Sequence, residues 1–457
     1  MGSLAAQLPH LLALQEFELP ALEYPVLGAR GIIGAVMLLH IFFATLFVGY
    51  AVGSPALQLW GRRTGNERME RLAGSIAHFN VLTFSAGATW AVMFLVLLVG
   101  LYPRVASALF IHFFWFFPVV AMTAMVLTLY FFYIHFYRGQ RQNVWAGFAA
   151  AFFILLWQAI LTGMDTFMVT GGGAGGQEIR GEDVSSPLAA LDSIFNPMFA
   201  TQTLHRTFGN LSWPAYAVAA WAGFMYTRSK SAEDRSFYDW AGSMGVIWGT
   251  VFLLLQPFVG FLTAYSMSGL EYRGEDLEMA GASGPFDRLV GAGPDTFTSA
   301  LLHVNLILIV LLFVLSNLAM YLGAGRHPER AGQAPIRFFA LIAAGAGAYS
   351  VSPLAQFPFL YMRYIMLAVM VLATSGALIS YVRGRRSFRF GSPGGGYRAI
   401  LITLGVLAAA VTLGMGWMKS NSRVPYTIYG QPDYTVETQS PVTPDELSPE
   451  NYETPEP

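Results

Sequence analysis

Residues 31–53 read GIIGAVMLLHIFFATLFVGYAVG, an apolar run in which His40 is the one side chain that titrates near neutral pH. At about 1.5 Å per residue, a helix of this length covers the roughly 30 Å hydrocarbon core of a bilayer. The stretch therefore predicts a membrane-spanning helix. The same pattern recurs at roughly 80–101, 106–134, 145–170, 199–226, 239–266, 299–323, 357–381 and 399–418, with a shorter run at 336–351. Composition agrees: the 457 residues are 55% hydrophobic and 12% charged, where a soluble domain carries about 25% charged residues. Soluble, fibrous and disordered classes are excluded. The chain has no cysteine, which rules out disulfides, thiolate metal sites and covalently attached c-type haem. A formal net charge of −1 gives no electrostatic case for nucleic acid.

The basic residues set the topology. Loop 54–79 holds Arg62, Arg63, Arg68 and Arg71; loop 135–144 holds Arg138 and Arg141; loop 227–238 holds Arg228, Lys230 and Arg235. Two later basic segments hold Arg326, Arg330 and Arg337, then Arg383, Arg385, Arg386, Arg389 and Arg398. By the positive-inside rule all five lie on the cytoplasmic side. Between the last two the chain must cross an even number of times, so 336–351 and 357–381 form a hairpin. The expected fold is an all-α polytopic membrane bundle of about ten transmembrane helices with both termini outside. Residues 1–29 read as an outer interfacial segment without the basic start of a signal peptide. Residues 30–418 form the bundle, and 419–457 an acidic, Pro-rich outer tail suited to a partner. The long outer loops 171–198 and 267–298 are Gly-rich and acidic.

With this topology, His40, His112, His205 and His303 all fall in the outer third of the membrane. A lone histidine near a helix end reads as an interfacial hydrogen-bonding residue. Four at one depth point instead to function, because ionisable groups inside spans are costly and haem iron in helical bundles is held by histidine or by histidine with methionine. Two arginines, Arg206 and Arg363, also lie within spans, where they could neutralise haem propionates. Met362, Met366 and Met370 share one helical face; packing is the ordinary role of such a stripe, and Met366 or Met362 is an alternative axial ligand.

Several segments, in order, resemble the quinol oxidase subunit I family of cytochrome bd. His40 in LLHIFFATLFVGYAV is similar to that family's first-helix histidine, a high-spin haem ligand. NPMFATQTLHRTFGN, from Asn196 and Pro197 to His205, resembles its Asn-Pro segment and low-spin haem histidine. DRSFYDWAGSMG (234–245) resembles the start of its sixth helix. GWMKSNSRVPYTIYG (416–430) is similar to its Gly-Trp and Gly-Arg-Gln-Pro-Trp segments. Arg363 resembles the arginine beside the axial methionine, whose place falls on Ile365 or, one residue on, Met366. The family's glutamates are missing: the span at 106–134 has no carboxylate, no glutamate lies in any span, and Asp165 and Asp239 sit at predicted helix ends. The family's di-haem oxygen site thus loses its carboxylates. His112 and His303 are candidate replacement ligands that would close the sites.

The resemblance implies a cytochrome bd-like fold, haem b in more than one copy, a quinone, other subunits of a respiratory complex and a bacterial or archaeal cell membrane. The expected function is a b-type cytochrome subunit that moves electrons between the quinone pool and an outer partner such as a c-type cytochrome. Two alternatives stand beside it: an oxygen reductase subunit with unusual ligands, and a haem-free anchor or quinone-binding subunit. Ligand candidates are His40, His112, His205 and His303.

Overall fold

A computed structural model describes residues 28–137, 143–170, 187–268, 286, 296–356, 358 and 361–422. Nearly all of the predicted outer segment and acidic tail, with residues 171–186 and most of 269–295, lie outside the described residues. The described residues are helical, with no strand. In chain order the helices are α1 (Gly28–Thr64), α2 (Glu67–Leu101), α3 (Pro103–His112), α4 (Met122–Tyr137), α5 (Val144–Thr170), α6 (Pro187–Ile194), α7 (Phe199–Arg228), α8 (Ala232–Ser268), α9 (Thr296–Gly323), α10 (Arg330–Ser350), α11 (Met362–Gly384) and α12 (Gly395–Ser422).

The protein is a polytopic membrane helical bundle. Among the described residues, eight helices are long and apolar enough on hydropathy alone to cross a membrane. α7 and α10, which are not among these eight, occupy the other two of the ten expected spans. α7 falls short of the apolar average because Gln202, His205, Arg206 and Asn210 interrupt it. It packs on α8, α12, α1 and α5. Large apolar side chains such as Val96, Phe152, Phe261 and Leu372 point outward, as a hydrocarbon solvent requires.

The structure departs from the predicted boundaries in two places. Residues 54–79, expected as a basic loop, are helical almost throughout: α1 runs to Thr64 and α2 begins at Glu67. Hydropathy marks only the part of a helix inside lipid, whereas capping marks its end. Gly65 takes φ +63°, a conformation that costs L side chains energy. The Asn66 side chain then accepts from the N–H groups of Arg68 and Met69 at 3.2 and 3.4 Å. Residues 227–238 are likewise mostly helix, with Ser231 accepting the Asp234 N–H at 3.0 Å to start α8.

The second departure is in the third span, expected as one helix over 106–134. It breaks after His112 and passes through a π-turn at Trp115–Ala121 before α4. Pro118 sits inside that turn. It cannot donate a backbone hydrogen bond, and its ring crowds the preceding turn. The helix widens there, and the Met122 N–H reaches back to Phe117 O.

Close packing centres on α7. At Gly245 of α8 a Cβ would fall 2.6 Å from Ala215 O and from Ala219 N, so the two backbones approach as only glycine permits. Interhelical hydrogen bonds add specificity: the Tyr216 and Ser316 hydroxyls lie 2.7 Å apart, and Asn317 Nδ2 donates to Thr374 Oγ1 at 2.8 Å. α10 and α11 form the expected hairpin, laid against α9.

Candidate functional site

Two charged constellations are enclosed within the bundle, one toward each end. At the end carrying the basic turns, Asp239 of α8 and Arg326 after α9 form a buried pair. Arg326 Nε donates to both carboxylate oxygens at 3.0 and 3.2 Å, and Nη2 makes a further contact with Oδ1. The carboxylate also accepts the Gly391 N–H at 2.9 Å. The guanidinium lies 3.9 Å from the centre of the Tyr397 ring, and the Arg326 carbonyl accepts the Arg389 N–H at 3.0 Å. The carboxylate is thus matched by a guanidinium and a backbone N–H.

The other constellation is the candidate site. It is built from facing polar stripes on α5 and α7. On α5, Gln158, Thr162 and Asp165 recur at helical spacing; on α7, Arg206, Thr207 and Asn210 do the same. Asn210 Nδ2 donates to Gln158 Oε1 at 2.6 Å, and Gln158 Nε2 donates to Thr207 Oγ1 at 2.9 Å. Arg206 Nη1 donates to Thr162 Oγ1 at 3.1 Å, and Nη2 stands 3.5 Å from Asp165 Oδ2. Lys419 near the end of α12 pairs with the same oxygen. One carboxylate thus serves two cations from two other helices.

Two histidines adjoin this network. His205 immediately precedes Arg206 on α7, and His40 lies on α1, which packs against α7. His40 holds its Nδ1 at 3.0 Å from Gly87 O of α2. That contact leaves Nε2 available as a ligand, since the tautomer of a metal-bound imidazole is set by the partner of its other nitrogen. His205 has a buried Nδ1 with no hydrogen-bond partner among the described residues. It faces Gly260 of α8, where a Cβ would stand 3.5 Å from Cε1. The His205 carbonyl accepts from Gln256 Nε2 at 3.1 Å, which fixes the backbone behind the ring. A buried imidazole nitrogen without a partner is costly, and a metal–nitrogen bond would satisfy it.

The remaining predicted site residues have other surroundings. His112 is buried at the break after α3, with Nε2 at 2.7 Å from Ser193 Oγ and its ring stacked on Phe167 at 4.9 Å. His303 is exposed on α9, its Nδ1 at 2.7 Å from Ser299 O one turn back. Met362, Arg363 and Met366 belong to α11, which packs on α8, α9 and α10. Arg363 is exposed at its start, and Met366 is partly buried against the main core. Among the described residues no three His, Asp or Glu side chains cluster as a metal site.

The Asn-Pro segment orders the approach to α7. Asn196 Nδ2 donates to Thr166 Oγ1 at 3.0 Å and Gly163 O at 3.1 Å of α5, while Oδ1 accepts the Met198 N–H at 3.2 Å. This ties the start of α7 to the helix bearing Asp165.

The sequence assigns no role to Asp165, at a predicted helix end, or to Lys419, the first residue of the predicted outer tail. The signal was the polar spacing on α5, where Gln158, Thr162 and Asp165 mark one face of an otherwise apolar helix.

Fold and site together define a multi-pass helical membrane protein with a charged, histidine-bearing network inside the bundle. No family model matches the chain, and no curated protein matches it. Among solved structures, the bd oxidase from Geobacillus thermodenitrificans aligns with a TM-score of 0.47 at 14% identity, over 86% of this chain and 97% of that one.

Proposed function

We propose that the protein is a haem-bearing membrane electron-transfer subunit working between quinone and a redox partner, with its iron held at the network around Arg206. The observation that carries this reading is the unpartnered, buried Nδ1 of His205 beside two cations and a second imidazole with one nitrogen left over. The donor set fits a haem: His205 and His40 supply imidazole nitrogens, and Arg206 and Lys419 supply positive charge for carboxylate substituents. When bound, a haem would supply one-electron redox chemistry. The chain's own part is to fix the His40 tautomer through Gly87 O and to neutralise buried negative charge.

The test is spectroscopic. Purified protein is expected to show a reduced-minus-oxidised b-type band and a haem content by pyridine haemochrome, and His205→Ala is expected to lose at least one haem. A protein without the band, or a His205→Ala variant with an unchanged spectrum, would sink the proposal. A second reading has its own support. Asp165 already balances Arg206 and Lys419, so the network is complete without propionates, as expected of a haem-free subunit of a redox complex. Iron content of the isolated protein separates the two.

The orientation proposed from the basic turns is testable because the chain contains no cysteine. A membrane-impermeant maleimide applied to intact cells is expected to label Leu354→Cys and to spare Lys230→Cys, both at exposed positions. The opposite pattern would invert the topology and move the His205 network to the cytoplasmic half.

A further inference from the structure

At the end carrying the basic turns, the α1–α2 turn, the start of α8 and the segment after α11 enclose an open groove of about 600 Å³. Its walls include Arg68, Arg385, Arg386, Trp240, Phe388 and Phe390. One carboxylate, Glu67, also lines it, so three cations face one anion.

Arg385 is the unusual member. Its guanidinium lies against the rings of Trp240 and Phe390, at 5.1 and 5.8 Å from their centres. Its Nε and one terminal nitrogen are buried with no hydrogen-bond partner among the described residues. Those two atoms form one edge of the guanidinium fork, the edge that matches two oxygens of an oxyanion. Arg68 is steadied by a 3.0 Å bond from Nη2 to Ser236 Oγ. Arg386 is exposed at the mouth.

An aromatic strip leads away from this groove along the bundle. Trp60 lies one turn before Thr64, a groove residue, and is 44% exposed. Its ring centre is 6.0 Å from that of Trp248; Trp248 is 6.0 Å from Phe252, and Phe252 is 6.4 Å from Phe208. Basic pockets between spanning helices at a membrane surface suit phosphate headgroups, and a strip of rings below suits an acyl chain.

We propose that this groove is a binding site for a phosphate-bearing membrane lipid, with Arg385, Arg68 and Arg386 on the headgroup and the Trp60–Trp248–Phe252 strip under an acyl chain. The site is independent of any haem. Delipidated full-length protein in a non-ionic detergent is titrated with dioleoyl phosphatidylglycerol, dioleoylglycerol or inorganic phosphate, and read by native mass spectrometry and thermal midpoint. Phosphatidylglycerol is expected to bind and raise the midpoint, and dioleoylglycerol to do neither. Arg385→Gln is expected to weaken the lipid about tenfold, as loss of a charge-assisted pair does. Arg386→Gln and Trp60→Ala change exposed side chains, and each is expected to weaken it severalfold. Equal stabilisation by inorganic phosphate, insensitive to Trp60→Ala, would assign the groove to a free anion and overturn the lipid. Unchanged lipid binding in Arg386→Gln and Trp60→Ala would overturn the site, even if Arg385→Gln failed to fold.

Discussion

Asp239→Ala is expected to cost the protein about 3–5 kcal/mol of stability, the usual penalty for removing one partner of a buried ion pair. The size follows from what is left behind. The Asp239 side chain is inaccessible and that of Arg326 is 6% exposed, so the guanidinium would remain out of water with its counter-charge gone. The face of Tyr397 offers a cation–π contact of about 0.5–2 kcal/mol, too little to offset that loss. The Gly391 N–H would also lose its acceptor. Denaturant titration of the purified variant reads the effect directly. A double variant, Asp239→Leu with Arg326→Met, removes both charges and is expected to recover most of the loss, because replacing a whole buried pair by apolar groups is often neutral. A midpoint for Asp239→Ala within error of the wild type would mean that water reaches the pair.

Asp165→Asn is the second large effect, and it acts on the candidate site. Asp165, Arg206 and Lys419 are 16%, 30% and 21% exposed, so the screened penalty is smaller, about 2–3 kcal/mol. The variant also leaves two cations facing each other across the position of one carboxylate. On the proposed reading it has a redox signature. A nearby anion favours the more positive, ferric state, so its removal is expected to raise the midpoint potential of the His205-bound iron. Arg206→Gln removes a cation and is expected to lower it. Potentiometric titration of both variants checks the opposite signs. Shifts of the same sign, or none, would detach the network from any iron, whereas loss of stability alone is what a haem-free subunit predicts.

The eight apolar spans were legible because burial in lipid imposes a single requirement, sustained apolarity, that a linear scan detects well. The scan failed where the requirement changes. It stopped α1 at residue 53, although the helix continues to Thr64, because outside the hydrocarbon a helix depends on caps such as Asn66 rather than on hydropathy. It missed the π-turn because one proline in an apolar run hardly alters an average. At the site, His205 and Arg206 were legible as costly groups in a span. Depth, however, is only one coordinate of a helical residue, and azimuth is the other. His303 and His205 share a depth by residue count, yet His303 is exposed and His205 faces Gly260. The pairing of Lys419 with Asp165, across more than half the chain, leaves no trace in spacing at all.

The Asp239 clasp bears on how the chain is made. Its carboxylate emerges from the ribosome 87 residues before its partner Arg326. At synthesis rates of about 5–20 residues per second, that leaves α8 with an unmatched buried-site charge for roughly 4–17 s. Until then the cost of carrying a lone carboxylate into lipid holds the start of α8 at the membrane surface. The Gly391 N–H arrives later still. The charge on α8 is therefore matched only once α9 and the turn after it have been made.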